Sequence, residues 1–223
     1  VYLDRYFITD SIRDGFTVKI AYQPRLEKKV QLKKDLLEVF LETEFEELPE
    51  EIREGIEDKV KKRLNTIKVV LENPERIRVI AEDIARHFKE NIDGKFKAMV
   101  VAGSRMACHT YKQELDKHLP PEYSEIVMTY TREDEEPLVE RVAETQARYG
   151  NRDIVDIRKD IIEKFKEEDY PKILIVTDML LTRFDAPCLQ VMYLDRPLKE
   201  HRLLQEVART NRPYKDLKEA GRN

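Results

Sequence analysis

Cysteine is scarce in this chain, and the scarcity is informative. Cys108 and Cys188 lie 80 positions apart, and neither has another cysteine or a histidine at metal-ligand spacing. That spacing excludes a disulfide framework and a zinc site, and it fits a reducing cytoplasm. Long apolar runs are missing too: none approaches the ~20 residues that a membrane-spanning helix needs, and no signal peptide is visible. No G-x-x-x-x-G-K-[ST] stretch occurs, so nothing local can cradle the β-phosphate of a nucleotide. An excess of one charge is also absent. Lys plus Arg number 41 against 45 for Asp plus Glu, a net charge of −4, which excludes a generally basic nucleic-acid binder. A local basic groove stays open, because binding answers to the local field and not to the sum. Charge itself is plentiful at 39% of residues, as on helix surfaces laced with ion pairs.

What is present is enough for a real core: 223 residues with two kinds of patterning and no internal repeat. The chain opens at Val1 directly with structured-looking sequence, so a piece of a longer protein is expected. After the Asp14-Gly15 turn, residues 16–22 ("FTVKIAY") alternate and read as a short strand. From 28 to 92 the pattern is helical. Ile52, Ile56, Val60, Leu64, Ile67 and Leu71 form one stripe on a helix starting near Pro49; a second helix is capped by Asn73, with Pro74 at its first position and Ile77, Ile80, Ile84 and Phe88 facing inward. Asn91 to Gly94 closes this section.

Beyond Gly94 short apolar runs alternate with amphipathic helices. Strands are expected at 97–102, 124–130, 172–178 and 191–196, and helices at 105–118, 138–149, 154–168 and 198–210. Continuous apolar strands alternating with helices predict an α/β fold: a parallel, doubly wound sheet with its functional loops at the carboxyl ends of the strands. The expected organisation is a linker or edge strand at 1–27, a helical subdomain at 28–92 and the α/β domain at 93–223.

Three stretches at that edge carry candidate chemistry. "AGSR" sets Gly103, Ser104 and Arg105 at a strand-to-helix turn, where amides and a helix dipole favour phosphate, although an ordinary turn has the same look. "IVTDMLLTRFDAP" delivers Thr177 and Asp178 to the edge and fixes Asp185 in a loop; these groups suit a phosphate, a ribose hydroxyl or a water, or simply cap the next helical turn. In "LLQEVARTNRPY", Gln205, Arg209 and Arg212 share a helix face, with Pro213 ending the helix; a solvated face is the bland alternative.

Taken in order, "MVVAGSRMACHTYKQEL", "KILIVTDMLLTRFDAP" and "LLQEVARTNRPY" resemble motifs four, five and six of the second RecA-like domain of superfamily-two helicases. The wording is most similar to the motor (R) subunit of type I restriction-modification enzymes, and "YFITDSIRDGFTVKIAYQPRL" resembles the segment joining that subunit's two motor domains. The resemblance implies a RecA-like domain at 93–223 that works against a first RecA-like domain in cis, which holds ATP and Mg²⁺. It implies Arg212 as an arginine finger, Arg209 as its companion near the γ-phosphate, Gln205 as a polar contact coupling the nucleotide to cleft closure, and Asp185 as a group that faces the nucleotide or links it to DNA. A guanidinium so placed is worth roughly 10³ to 10⁵ in rate, and lysine replaces it poorly. Ser104, Arg105 and Thr177 match positions that touch the backbone of double-stranded DNA. Methylation and specificity subunits are the further implied partners, with no membrane and no metal site of the chain's own.

Several parts of the family pattern are missing here. The Walker A loop and the acidic magnesium box do not occur, nor does an acidic-plus-lysine nuclease cluster, so the chain alone is expected to hydrolyse neither ATP nor DNA. Arg183 stands where the family usually has glycine ahead of "FDAP", which strains or crowds the loop or else adds a phosphate contact. Residues 28–92 match no motif. The rival reading is a helicase-like nucleic-acid-binding or scaffold module without catalysis.

Overall fold

A computed structural model describes residues 23, 67–131, 134–177 and 186–196. Within them lie α1 (Pro74–His87), β1 (Lys97–Ala102), α2 (Arg105–Leu115), β2 (Ser124–Val127), α3 (Glu136–Arg148), α4 (Ile154–Glu167), β3 (Ile173–Val176) and β4 (Leu189–Asp195). A helical segment at 67–71 precedes α1, which runs on through a π-helical turn, Phe88–Ile92. The four strands form one sheet in the order β2-β3-β1-β4, and every pairing is parallel. The α/β expectation is met: the described residues form a parallel sheet flanked by helices, consistent with a RecA-like fold. The proposed strand at 16–22, the Pro49 helix start and the helix at 198–210 lie outside the described residues.

The apolar strands are continuous because both sheet faces are covered. Ala98, Val100 and Ala102 of β1 join Ile173 and Ile175 of β3 on one face, packed under Ile77, Ile84 and Phe88 of the α1 region and Cys108, Tyr111 and Leu115 of α2. Met99, Val101, Leu174 and Val176 face the other way, against Ile157, Ile161 and Phe165 of α4. Each large side chain so buried contributes about 1.5–3 kcal/mol. With Leu138 in the first cluster and Tyr149 against the second, α3 crosses beside the edge strand β2. Both cysteines are buried free thiols inside this packing. The α1 region therefore shares its core with the sheet, although the sequence pattern groups it with the preceding helices.

Boundary differences have local causes. β2 stops at Val127 because its pairing partner β3 stops at Val176, so residues 128–130 continue without a ladder. β4 begins at Leu189, earlier than the expected 191, because the register slips between Lys97 and Ala98 and one residue, Gln190, is bulged out. α1 starts as read, with the Asn73 side chain accepting from the Arg76 amide at 2.9 Å.

Gly103 is demanded by space. A Cβ there would stand 2.7 Å from Leu71 Cδ1 and 3.1 Å from Leu71 Cβ. Gly103→Ala is expected to lower unfolding free energy by about 1–3 kcal/mol in urea titration, and by clearly less in a Leu71→Ala background. Equal costs in both backgrounds would show that the 67–71 segment does not press on this turn.

Candidate functional site

All strands being parallel, their carboxyl ends open on one edge. The register pairs Val101 with Val176 and Ala102 with Asp195, so Ala102, Thr177 and Asp195 leave three adjacent strands at nearly the same level. Gly103, Ser104 and Arg105 follow at once from the central strand β1. The strand order places these exits side by side where the winding reverses, the usual position for a ligand in such a sheet.

Ser104 is the N-cap of α2. Its hydroxyl accepts from the Ala107 amide at 3.1 Å and donates to Glu72 Oε1 at 2.6 Å, so its proton is committed within the chain. The amides of Arg105 and Met106 stand beside it at the positive end of the α2 dipole. Thr177 is half-buried immediately past β3.

Arg105 reaches across to the exit of β2. Its Nη1 forms an ion pair with Asp134 Oδ1 and lies 3.4 Å from Thr131 Oγ1 and 3.5 Å from the Thr129 carbonyl. Asp134 is fixed independently: Thr131 donates to it through its amide at 2.9 Å and its hydroxyl at 2.6 Å. Burial works to raise the Asp134 carboxyl, but the two Thr131 bonds and the Arg105 charge outweigh it and hold the group below the ordinary aspartate value.

Asp195 closes β4 in a buried network that no local pattern announces. Arg76 of α1 grips both carboxylate oxygens, Nη1 to Oδ2 at 2.8 Å and Nη2 to Oδ1, and the Tyr111 hydroxyl donates to Oδ2 at 2.6 Å. Burial opposes the Arg76 charge, but the bonds and field of Asp195 more than offset it and raise the guanidinium. Burial first, then the Asp195 charge, pushes the Tyr111 phenol well up, so it stays a donor. The partners are 119 positions apart, which is why the sequence hides them. The only hints are an acid ending an apolar strand and an arginine in the first turn of a capped helix.

Asp185, Gln205, Arg209 and Arg212, and Arg183 with them, lie outside the described residues. The structure thus brings Ser104, Arg105 and Thr177 to one edge. Sequence reasoning missed Thr131, Asp134, Asp195, Arg76 and Tyr111. Among the described residues, the acids at this edge are spoken for: Asp134 by Arg105, Asp195 by Arg76, and Glu72 by Ser104 and Lys68. No helix among the described residues is long and apolar enough to cross a membrane.

A family model described as type I restriction enzyme subunit R domain 3 matches residues 135–222. Over 96% of its length the chain is 44% identical to the MjaVIIP type I restriction enzyme endonuclease subunit of Methanocaldococcus jannaschii, covering 21% of that protein. It is 32% identical, again over 96% of its length, to the HindI type I restriction enzyme endonuclease subunit of Haemophilus influenzae, covering 19% of it. The chain therefore spans about a fifth of the length of these relatives. With these similarities over nearly its whole length and a parallel sheet that brings Ser104, Arg105 and Thr177 to one edge, the chain belongs to the type I restriction enzyme R-subunit family, as a fragment of such a subunit.

Proposed function

We propose that this domain is one half of an ATP-driven translocase on double-stranded DNA, acting in the cytoplasm within a complex of motor, methylation and specificity subunits. The observation that carries the reading is the shared edge: the exits of β1 and β3, with Arg105 and Thr177, open together at the reversal of the sheet. A first RecA-like domain in cis holds ATP and Mg²⁺; this chain adds Arg209, Arg212, Gln205 and Asp185 from its own side. Bound ATP supplies the phosphoryl group whose hydrolysis drives the cycle. Alone, the chain hydrolyses neither ATP nor DNA. Ser104, Arg105 and Thr177 touch DNA through its phosphates, which suits an engine that crosses any sequence.

The DNA half of this reading is tested by Arg105→Ala in the full-length subunit. Binding to unrelated duplexes weakens to a similar degree for each, and the salt dependence of log Kd becomes shallower by about one phosphate equivalent. A base-selective loss, or an unchanged slope, would remove Arg105 from the DNA path.

A further inference from the structure

Arg105 is held in an unusual way for a surface arginine. Among the described residues, every hydrogen bond and ion pair it makes runs through one nitrogen: Nη1 meets Asp134 Oδ1, Thr131 Oγ1 and the Thr129 carbonyl. Among the described residues, no acceptor takes its Nε or Nη2. Those two nitrogens form the forked edge of a guanidinium, two parallel N–H directions that match two oxygens of one phosphate. The Arg105 side chain is 34% exposed, whereas that of Asp134 is only 1% exposed. The carboxylate is therefore the buried anchor and the arginine is the outward group.

We propose that Asp134, locked by Thr131, is a positioning residue that fixes Arg105 through Nη1 and so presents its Nε/Nη2 edge to a phosphodiester of duplex DNA; this rests on the reading of Arg105 as a backbone contact. The physical gain is preorganisation. A loose arginine surrenders rotamer freedom at each new phosphate, while an anchored one has already done so in the folded chain. Asp134 is suited to the task because it does not depend on Arg105 for its own place: the Thr131 amide and hydroxyl hold one oxygen each. It also lies at the exit of β2, so the contact from β1 is braced by a second strand's loop.

Charge alone makes the opposite forecast. Removing a carboxylate near DNA reduces repulsion and tightens binding, so the sign of the effect separates positioning from bulk electrostatics. The neighbouring Glu135, with a side chain 59% exposed, serves as the control for charge. The experiment measures anisotropy of a labelled non-specific duplex with the full-length subunit at several salt concentrations, for Asp134→Asn, Glu135→Gln, Arg105→Ala and the Asp134→Asn/Arg105→Ala pair.

Asp134→Asn is expected to weaken binding about fivefold when Arg105 is present and to change it less than about twofold when Arg105 is already alanine. Glu135→Gln tightens binding slightly. Thr131→Val, which keeps the amide bond to Asp134 and loses the hydroxyl, moves affinity in the same direction as Asp134→Asn by about twofold and guards against a folding defect of the latter. The inference is overturned if Asp134→Asn tightens binding as Glu135→Gln does, or if it weakens binding equally in both backgrounds. If Arg105→Ala itself leaves affinity and salt slope unchanged, the reading of Arg105 as a DNA contact fails, and the inference goes with it.

Discussion

Arg212→Ala in the full-length subunit is expected to lower DNA-stimulated ATPase by about 10³, with DNA affinity changed less than about threefold. Charge spreads over the transferring phosphoryl oxygens as the bond to the leaving group lengthens. A guanidinium held in place strengthens its hydrogen bonds as that charge grows, so its removal slows turnover more than it weakens nucleotide binding. Arg212→Lys should recover little, because a point charge on a flexible stem cannot fork around two oxygens. β4 ends at Asp195, level with Thr177, on the edge that also presents Arg105. Steady-state ATPase with and without duplex DNA is the measurement, and wild-type stimulation in the variant would end the arginine-finger assignment.

The fold was more legible than the edge chemistry, for a physical reason. Burial on both faces writes itself into consecutive residues: "KAMVVA" names β1 to the residue, and Asn73-Pro74 marks the start of α1 without ambiguity. Ser104 shows the limit. Its place at a strand-to-helix turn was readable, but its hydroxyl proton goes to Glu72, which no local spacing could indicate. Arg105 was legible as a candidate while its anchor was not, since Asp134 meets it only after α2 and β2 have folded the chain back. The bulge at Gln190 is similar: it depends on how β4 lies against Lys97 and Ala98, not on the sequence of β4 alone. The family was legible through resemblance; contacts chosen by the chain's own tertiary structure were not.

Asp195→Ala should be the most destabilising single change at this edge, costing about 3–5 kcal/mol, because it strips a buried guanidinium of its carboxylate. The side chains of Arg76 and Asp195 are only 13% and 9% exposed, so water cannot readily replace the lost partner. Tyr111→Phe removes one donor from Oδ2 and should cost about 1 kcal/mol, since Arg76 still satisfies that oxygen. The decisive variant is Arg76→Met/Asp195→Leu, which replaces both charges with apolar groups of similar bulk. It should recover much of the loss, leaving about 1–3 kcal/mol for the buried Tyr111 hydroxyl that loses its acceptor, because the cost of Asp195→Ala comes mainly from the charge left behind rather than from an intrinsic worth of the pair. Urea titration of all four proteins under one buffer gives the comparison. A penalty for Asp195→Ala below about 1 kcal/mol would mean that solvent reaches Arg76 and that the network is not sealed. If instead the double variant were as unstable as Asp195→Ala, the directional grip of Arg76 on the last residue of β4 would be setting the strand's exit. In that case the ATPase of the double variant in the full-length subunit should fall as well, since the same exit leads to Arg209 and Arg212.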